Sequence, residues 1–101
     1  SALREQVIAV REIERARFAG TATRCNANMS HRQNRTFCQL DAAGRAVLKS
    51  SVMELGLSAR AHDKVLRVAR TIADLEGSRR ITTVHLNEAI NYRMLDRNLW
   101  N

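Results

Sequence analysis

The chain has 101 residues, of which 45% are apolar, and it contains no proline and only four glycines. This length supports one domain with a single modest core, and the composition suits helices built from aliphatic residues. Seventeen Lys and Arg residues against ten Asp and Glu residues give a net charge of +7, which favours polyanionic partners such as nucleic acid or nucleotide phosphates.

Membrane and metal classes are not expected. No apolar segment approaches the ~20 residues that a membrane-spanning helix needs, and no signal peptide can be assembled at the N-terminus. We therefore expect a soluble, cytoplasmic protein. Cys25 and Cys38 have only His31 nearby as a further ligand, so no metal site is expected. The start at Ser1, without Met, suggests a fragment of a longer chain.

The first forty residues predict one long helix, a loop and one short helix. Residues 2 to about 18 predict an amphipathic helix, because apolar residues recur along one side at helical spacing. The turn-forming residues at positions 20–28 predict a loop. Ser30 is expected to cap a short helix that ends near Phe37. The apolar stripe of the first helix consists of Leu3, Val7, Ile8, Val10 and Ile13.

Two helices separated by a short joint follow. Asp41 is a suitable N-cap for the first of them, and Gly56 suits the left-handed position that follows a helix C-terminus. Ser58 is a suitable N-cap for the second, central helix, which ends at Gly77 in the same way. Because the joint at residues 56–58 is so short, we expect these two helices to pack as a hairpin.

The last helix is predicted from Thr83 to about Met94, and residues 95–101 are expected to form a frayed tail. Apolar residues do not alternate over any convincing length, so no strand is predicted. The sequence therefore predicts an all-α bundle of four main helices plus one short helix, in a single domain over residues 1–101. Residues 1–18 alternatively form a helix that connects this domain to a preceding one.

The central helix carries the strongest anomaly. Arg60 lies in its first turn, where the helix dipole and the unpaired amides are already positive, so it is locally unfavourable by ~0.3–1 kcal/mol. Arg60 therefore needs an anionic partner, which is either a salt bridge or an anionic ligand. Further along, Asp63 is spaced to pair with Arg67, and Arg70 with Asp74, in ion pairs that support the helix.

No catalytic motif is present. A phosphate-binding loop, a zinc-protease motif and a nucleophile with a nearby base are all missing, so the chain alone is not expected to be an enzyme. One hypothesis for the function is a basic helical module that binds nucleic acid through Arg24, Arg32 and Arg35. Phe37 is the only nearby aromatic residue on which bases could stack. Another hypothesis is a structural module whose first helix packs on a preceding domain.

Several segments resemble a known family. The sequences GLSARA at residues 56–61 and LRVARTIADL at residues 66–75 resemble the C-terminal domain of the magnesium-chelatase-like AAA+ ATPases, the group that contains the ComM and YifB proteins. The sequences FCQLD at residues 37–41 and LNEAI at residues 86–90 are also similar to that family. The resemblance covers nearly the whole chain and matches least at residues 20–35.

The resemblance implies the helical lid that follows the nucleotide-binding core of an AAA+ ATPase. By motif position, Arg60 is the sensor-2 residue, which reaches the γ-phosphate of ATP, and Lys64 is expected to assist it. ATP and Mg²⁺ are then cofactors of the full-length protein, and this chain alone holds neither. The resemblance also implies three kinds of partner: the preceding core of the same chain, further copies in a ring that is expected to be a hexamer, and DNA.

Overall fold

A computed structural model describes the backbone of residues 2–100 and the side chains of residues 2–92. No strand occurs within residues 2–100, which confirms the predicted all-α bundle of four main helices and one short helix. The last helix continues past Met94, so the tail predicted there was wrong. In chain order, the elements are α1 (Ala2–Arg17), the 3₁₀ turn η1 (Asn26–Asn28), α2 (His31–Phe37), α3 (Ala42–Leu55), α4 (Ala59–Leu75) and α5 (Thr83–Trp100).

Side-chain caps start α2, α3 and α4 as predicted. Asp41 and Ser58 each accept the backbone N–H three residues further along, at 2.7 Å and 3.1 Å. At the start of α2, Ser30 accepts the N–H of Gln33 at 3.1 Å, while the Gln33 side chain accepts the N–H of Ser30 at 3.0 Å. This reciprocal capping box satisfies two amides that the helix leaves without partners.

The predicted hairpin of α3 and α4 was wrong, because α3 packs mainly on α5. Gly56 is left-handed, with φ 63°, and the extended backbone of Ser58 then turns the chain away from α3. Gly44 lies at the contact between α3 and α5, where an added Cβ would sit 3.3 Å from Cδ1 of Leu86. Glycine therefore allows α3 to approach α5 more closely than a larger residue would.

The core is built around α4, which contacts α1, η1, α2 and α5. Phe18, just after α1, packs edge-on against Phe37, with ring centroids 5.6 Å apart. Cys38, directly after α2, is also buried. The buried cluster consists of Phe18, Met29, Cys38, Leu48, Val65, Leu66, Ala69, Ala73, Ile81, Leu86, Ala89 and Ile90.

Two apolar groups lie outside this core. The predicted stripe of α1 is buried only at Val10, whereas Leu3, Val7 and Ile8 are exposed. Met53 in α3 is 76% exposed, because α3 directs another side toward α5. None of the helices within the described residues is long and apolar enough to cross a membrane.

The left-handed conformation at the end of α3 predicts a cost for Gly56→Ala. A Cβ there would meet no neighbouring atom, so the effect should come from backbone strain alone, at about 1 kcal/mol of unfolding free energy. Gly56→Asn should cost less, because asparagine tolerates this conformation better. Urea unfolding would measure both variants, with Ser50→Ala on exposed α3 surface as control. Equal stabilities of the Gly56→Ala variant and the parent would contradict the argument.

Candidate functional site

The start of α4 presents Arg60 to solvent. Arg60 is the second residue of the helix and is exposed, and it forms no hydrogen bond or ion pair with any residue whose side chain the structure describes. Within that part of the chain, the salt bridge offered as an alternative is therefore absent. Lys64 lies one turn further along α4 and is half-buried. The two cations share one side of the helix, since residues four apart are neighbours on its surface.

A buried ionic network holds the other end of α4. Asp74 is 3% exposed, and its two carboxylate oxygens accept hydrogen bonds from both terminal nitrogens of Arg17, at 2.7 Å and 2.8 Å. The side-chain amide of Asn26 donates to the same carboxylate at 2.8 Å. Arg70, also buried, donates through Nε at 3.2 Å. Asp74 thus connects α1, η1 and α4.

Further hydrogen bonds extend this network at both ends. Arg17 also donates to Oδ1 of Asn26 at 2.7 Å, and the backbone N–H of Asn26 donates to Glu14 at 2.7 Å. On the opposite side, Arg70 donates to the backbone carbonyls of Ser78 at 2.9 Å and Arg79 at 3.1 Å. The same group of charges therefore fixes the loop after α1 and the turn before α5.

The ionisation of Asp74 follows from these contacts. Burial alone would raise the pKa of its carboxyl group, but hydrogen bonds from Arg17 and Asn26, with the charges of Arg17 and Arg70, lower the pKa below its ordinary value. The hydrogen bond to Asp74 correspondingly raises the pKa of Arg17. The pair is therefore ionised at neutral pH, and its charges compensate each other inside the fold.

Helical spacing predicted the ion pair between Arg70 and Asp74. It did not predict that both residues are buried or that Arg17 donates to Asp74. The second predicted pair, Asp63 with Arg67, was wrong. Asp63 instead contacts His31, whose Nδ1 lies 3.0 Å from both carboxylate oxygens, and Arg67 donates to the carbonyl of Met29 at 3.3 Å. Spacing within α4 carried no information about these partners from other elements.

His85 was also missed as a buried residue. It occupies the third position of α5, where its Nδ1 accepts the backbone N–H of Thr82 at 2.9 Å. The ring proton is then on Nε2, which donates to Glu76 at 2.7 Å. His85 thus performs the capping role that glutamate or glutamine usually has at this position, and it links α5 to the end of α4.

Two of the three arginines in the nucleic-acid hypothesis line different depressions. Arg24 lines a cleft with Arg11 and Arg15 of α1, whereas Arg35 lines a separate groove beside α3. Arg32 is exposed on α2 and lines neither. Among the described side chains, no group of three or more His, Cys, Asp or Glu residues is arranged to hold a metal ion.

Comparison with known proteins identifies the family of the chain. The family described as magnesium chelatase, subunit ChlI C-terminal, matches residues 1–93. The chain belongs to this family. The competence protein ComM of Haemophilus influenzae is 39% identical over 95 residues, and the uncharacterized protein YifB of Escherichia coli is also 39% identical over 95 residues. The YifB protein of Salmonella typhimurium is 37% identical.

These alignments include 94% of this chain but only 18% of each relative. The chain therefore corresponds to less than a fifth of the length of the proteins that it resembles. The family assignment confirms the resemblance that was based on residues 56–61 and 66–75. It covers the whole of α4, including both Arg60 and the buried residues Arg70 and Asp74.

Replacing the buried carboxylate should destabilise the domain. Asp74→Asn leaves Arg17 and Arg70 without their compensating charge, so we expect a loss of about 3–5 kcal/mol in unfolding free energy. Asp41→Asn is the control, because asparagine is an equally good N-cap and should change stability little. Chemical unfolding followed by circular dichroism would measure both.

If Asp74→Asn does not fold, Arg17→Lys gives the second measurement, because it keeps the charge and loses the two-pronged contact. If neither substitution lowers the free energy of unfolding, the network does not stabilise the fold as argued.

Acid should weaken the fold through the same carboxylate. Because the pKa of Asp74 is lowered in the folded chain, its stabilising effect is complete above the unfolded value of about 3.9 and disappears as pH falls through the lower folded value. The melting temperature, measured at decreasing pH, should therefore fall more steeply in the parent than in Asp74→Asn. Parallel pH profiles would contradict this assignment.

Proposed function

We propose that this chain is the lid of a magnesium-chelatase-like AAA+ ATPase, in which Arg60 acts as the sensor-2 arginine. The observation that carries the proposal is an exposed arginine, without a partner among the described residues, at the start of the helix on which the whole core is built. Membership of the magnesium chelatase C-terminal family supports it, because the matched residues include the motif around Arg60.

Phosphate is the ligand that best fits this position. A guanidinium group is planar and permanently charged, and it can donate two parallel hydrogen bonds to phosphate oxygens. The start of a helix also attracts anions through its dipole and its free amides. A bound phosphate would therefore convert the local repulsion at Arg60 into attraction. Lys64, one turn further along α4, adds a second positive charge on the same side.

The contribution of this chain would be electrostatic. ATP with its Mg²⁺ would supply the reacting phosphoryl group when bound to the rest of the protein. Arg60 would then hold the terminal phosphate oxygens and stabilise the charge that they carry during hydrolysis. Because the buried network fixes α4 to α1, a nucleotide-dependent force on Arg60 would move the domain as one unit.

The proposal also extends to the assembly and the substrate of the whole protein. We propose that the full-length protein forms a ring, with a hexamer as the expected form, and that it acts on DNA. The net charge of +7 suits a polyanion, and one similar protein is named as a competence protein. The preceding core of the same chain would supply the residues that bind most of the nucleotide.

The test is the steady-state ATPase rate of the full-length protein that carries Arg60→Ala. We expect kcat to fall by about 10²-fold, the usual effect of removing one group that stabilises transition-state charge. Binding of a fluorescent ATP analogue should fall much less. Circular dichroism should be unchanged, because Arg60 is exposed and forms no hydrogen bond or ion pair with any other described residue.

Two further variants sharpen this test. Arg60→Lys keeps the charge but loses the planar donors, so it should retain an intermediate rate. Arg32→Ala removes another exposed arginine, from α2, and should leave the rate unchanged. An ATPase rate of Arg60→Ala that equals the parent rate would exclude the sensor-2 role.

A further inference from the structure

A groove lies between α2, α3 and α4, on the side where α3 turns away from α4. Its volume is about 800 Å³, within the range of roughly 300–1,000 Å³ typical of binding pockets. Its apolar lining comes from all three helices and the segments beside them, and consists of Cys38, Leu40, Leu48, Val52, Met53 and Leu66. Arg60 does not line it, so the groove is separate from the proposed phosphate contact.

The charged side chains of the groove are positive. Arg35 from α2 and Arg45 and Lys49 from α3 line it, and the lining residues include no carboxylate. Arg45 is held in place by donating to the carbonyl of Leu40 at 2.7 Å. The side chains of Arg35 and Lys49 have no hydrogen bond or ion pair with another side chain among residues 2–92. The groove therefore combines an apolar surface with positive charges available to an anionic partner.

The apolar surface indicates which class of anionic partner fits. The lining residues include no Phe, Tyr or Trp, so the groove lacks the aromatic side chains on which nucleic-acid bases stack. Leucine and methionine side chains instead suit aliphatic groups, and methionine adapts to partners of different shape. Met53 is 76% exposed, so its side chain is accessible for such a contact. Cys38 remains an uncharged thiol, because burial raises its pKa to about 11.

We propose that this groove binds an acidic, amphipathic segment of a partner protein. Aliphatic side chains of that segment would contact Met53, which is exposed, and Leu40 and Val52, which are half-buried. Its carboxylates would pair with Arg35, Arg45 and Lys49. This is the helix-in-groove type of recognition, in which apolar residues provide contact area and charges set orientation and specificity.

The test uses a short fluorescein-labelled peptide in which leucine pairs alternate with glutamate pairs. Fluorescence anisotropy would measure its binding to the full-length protein at low and high salt. We expect saturable binding that weakens as salt rises. A peptide with lysine in place of glutamate and a peptide with serine in place of leucine should both fail to bind.

Matched variants then locate the binding site. Arg35→Glu combined with Lys49→Glu should raise the dissociation constant about tenfold or more, since each charge reversal removes an attraction and adds a repulsion. Arg32→Glu is the control for charge, because Arg32 lies on the same helix as Arg35 but outside the groove. Met53→Ser should also weaken binding, whereas Val84→Ser, at another exposed apolar position outside the groove, should not.

Three results would overturn the proposal. The first is the absence of saturable peptide binding. The second is an equal loss of binding in the Arg32→Glu control, which would show nonspecific charge attraction. The third is tighter binding of single-stranded DNA, with loss of that binding in the Arg35→Glu and Lys49→Glu variant, because the groove would then be part of a nucleic-acid surface.

Discussion

The buried carboxylate of Asp74 is the constraint on which this fold depends. A charge in the interior is costly unless other groups compensate it, and here the compensation comes from Arg17, Asn26 and Arg70. Arg17 and Asp74 are 57 residues apart in sequence, so satisfying one charge brings distant segments together. The aliphatic core supplies most of the burial, whereas this network determines where α1, the following loop and α4 meet.

The local structure was largely predictable from the sequence. Asp41 and Ser58 start helices through hydrogen bonds to amides three residues away, and Gly56 ends one through its own backbone conformation. Such features depend on neighbours in sequence, so a short segment contains the whole cause. The packing of α3 was not predictable in this way. It depends on the direction of the chain after Gly56 and on the space that Gly44 leaves for α5.

The candidate site shows the same division. Arg60 was identifiable from the sequence, because a cation in the first turn of a helix is unfavourable without a partner. Arg70 and Asp74 have the spacing of an ordinary surface pair, and nothing local distinguishes them from Asp63 and Arg67. Only the approach of Arg17 from α1 makes them a buried network. The groove beside α3 could not be predicted from the sequence either, because it forms where α3 packs on α5 instead of on α4.

The two ends of α4 differ in how completely their charges are compensated, and this difference has a mechanical consequence. At one end, Asp74 fixes α4 to α1, and Arg70 fixes α4 to the turn before α5. At the other end, Arg60 extends into solvent without a partner among the described residues. A force on Arg60 would act on a helix that is already fixed to its neighbours through buried charges. Bending α4 away from α1 would expose those charges, whereas turning the whole domain would not. If Arg60 contacts nucleotide as proposed, the resulting motion should therefore be a rigid rotation, with its hinge outside the segment that the Arg17–Asp74 contact closes.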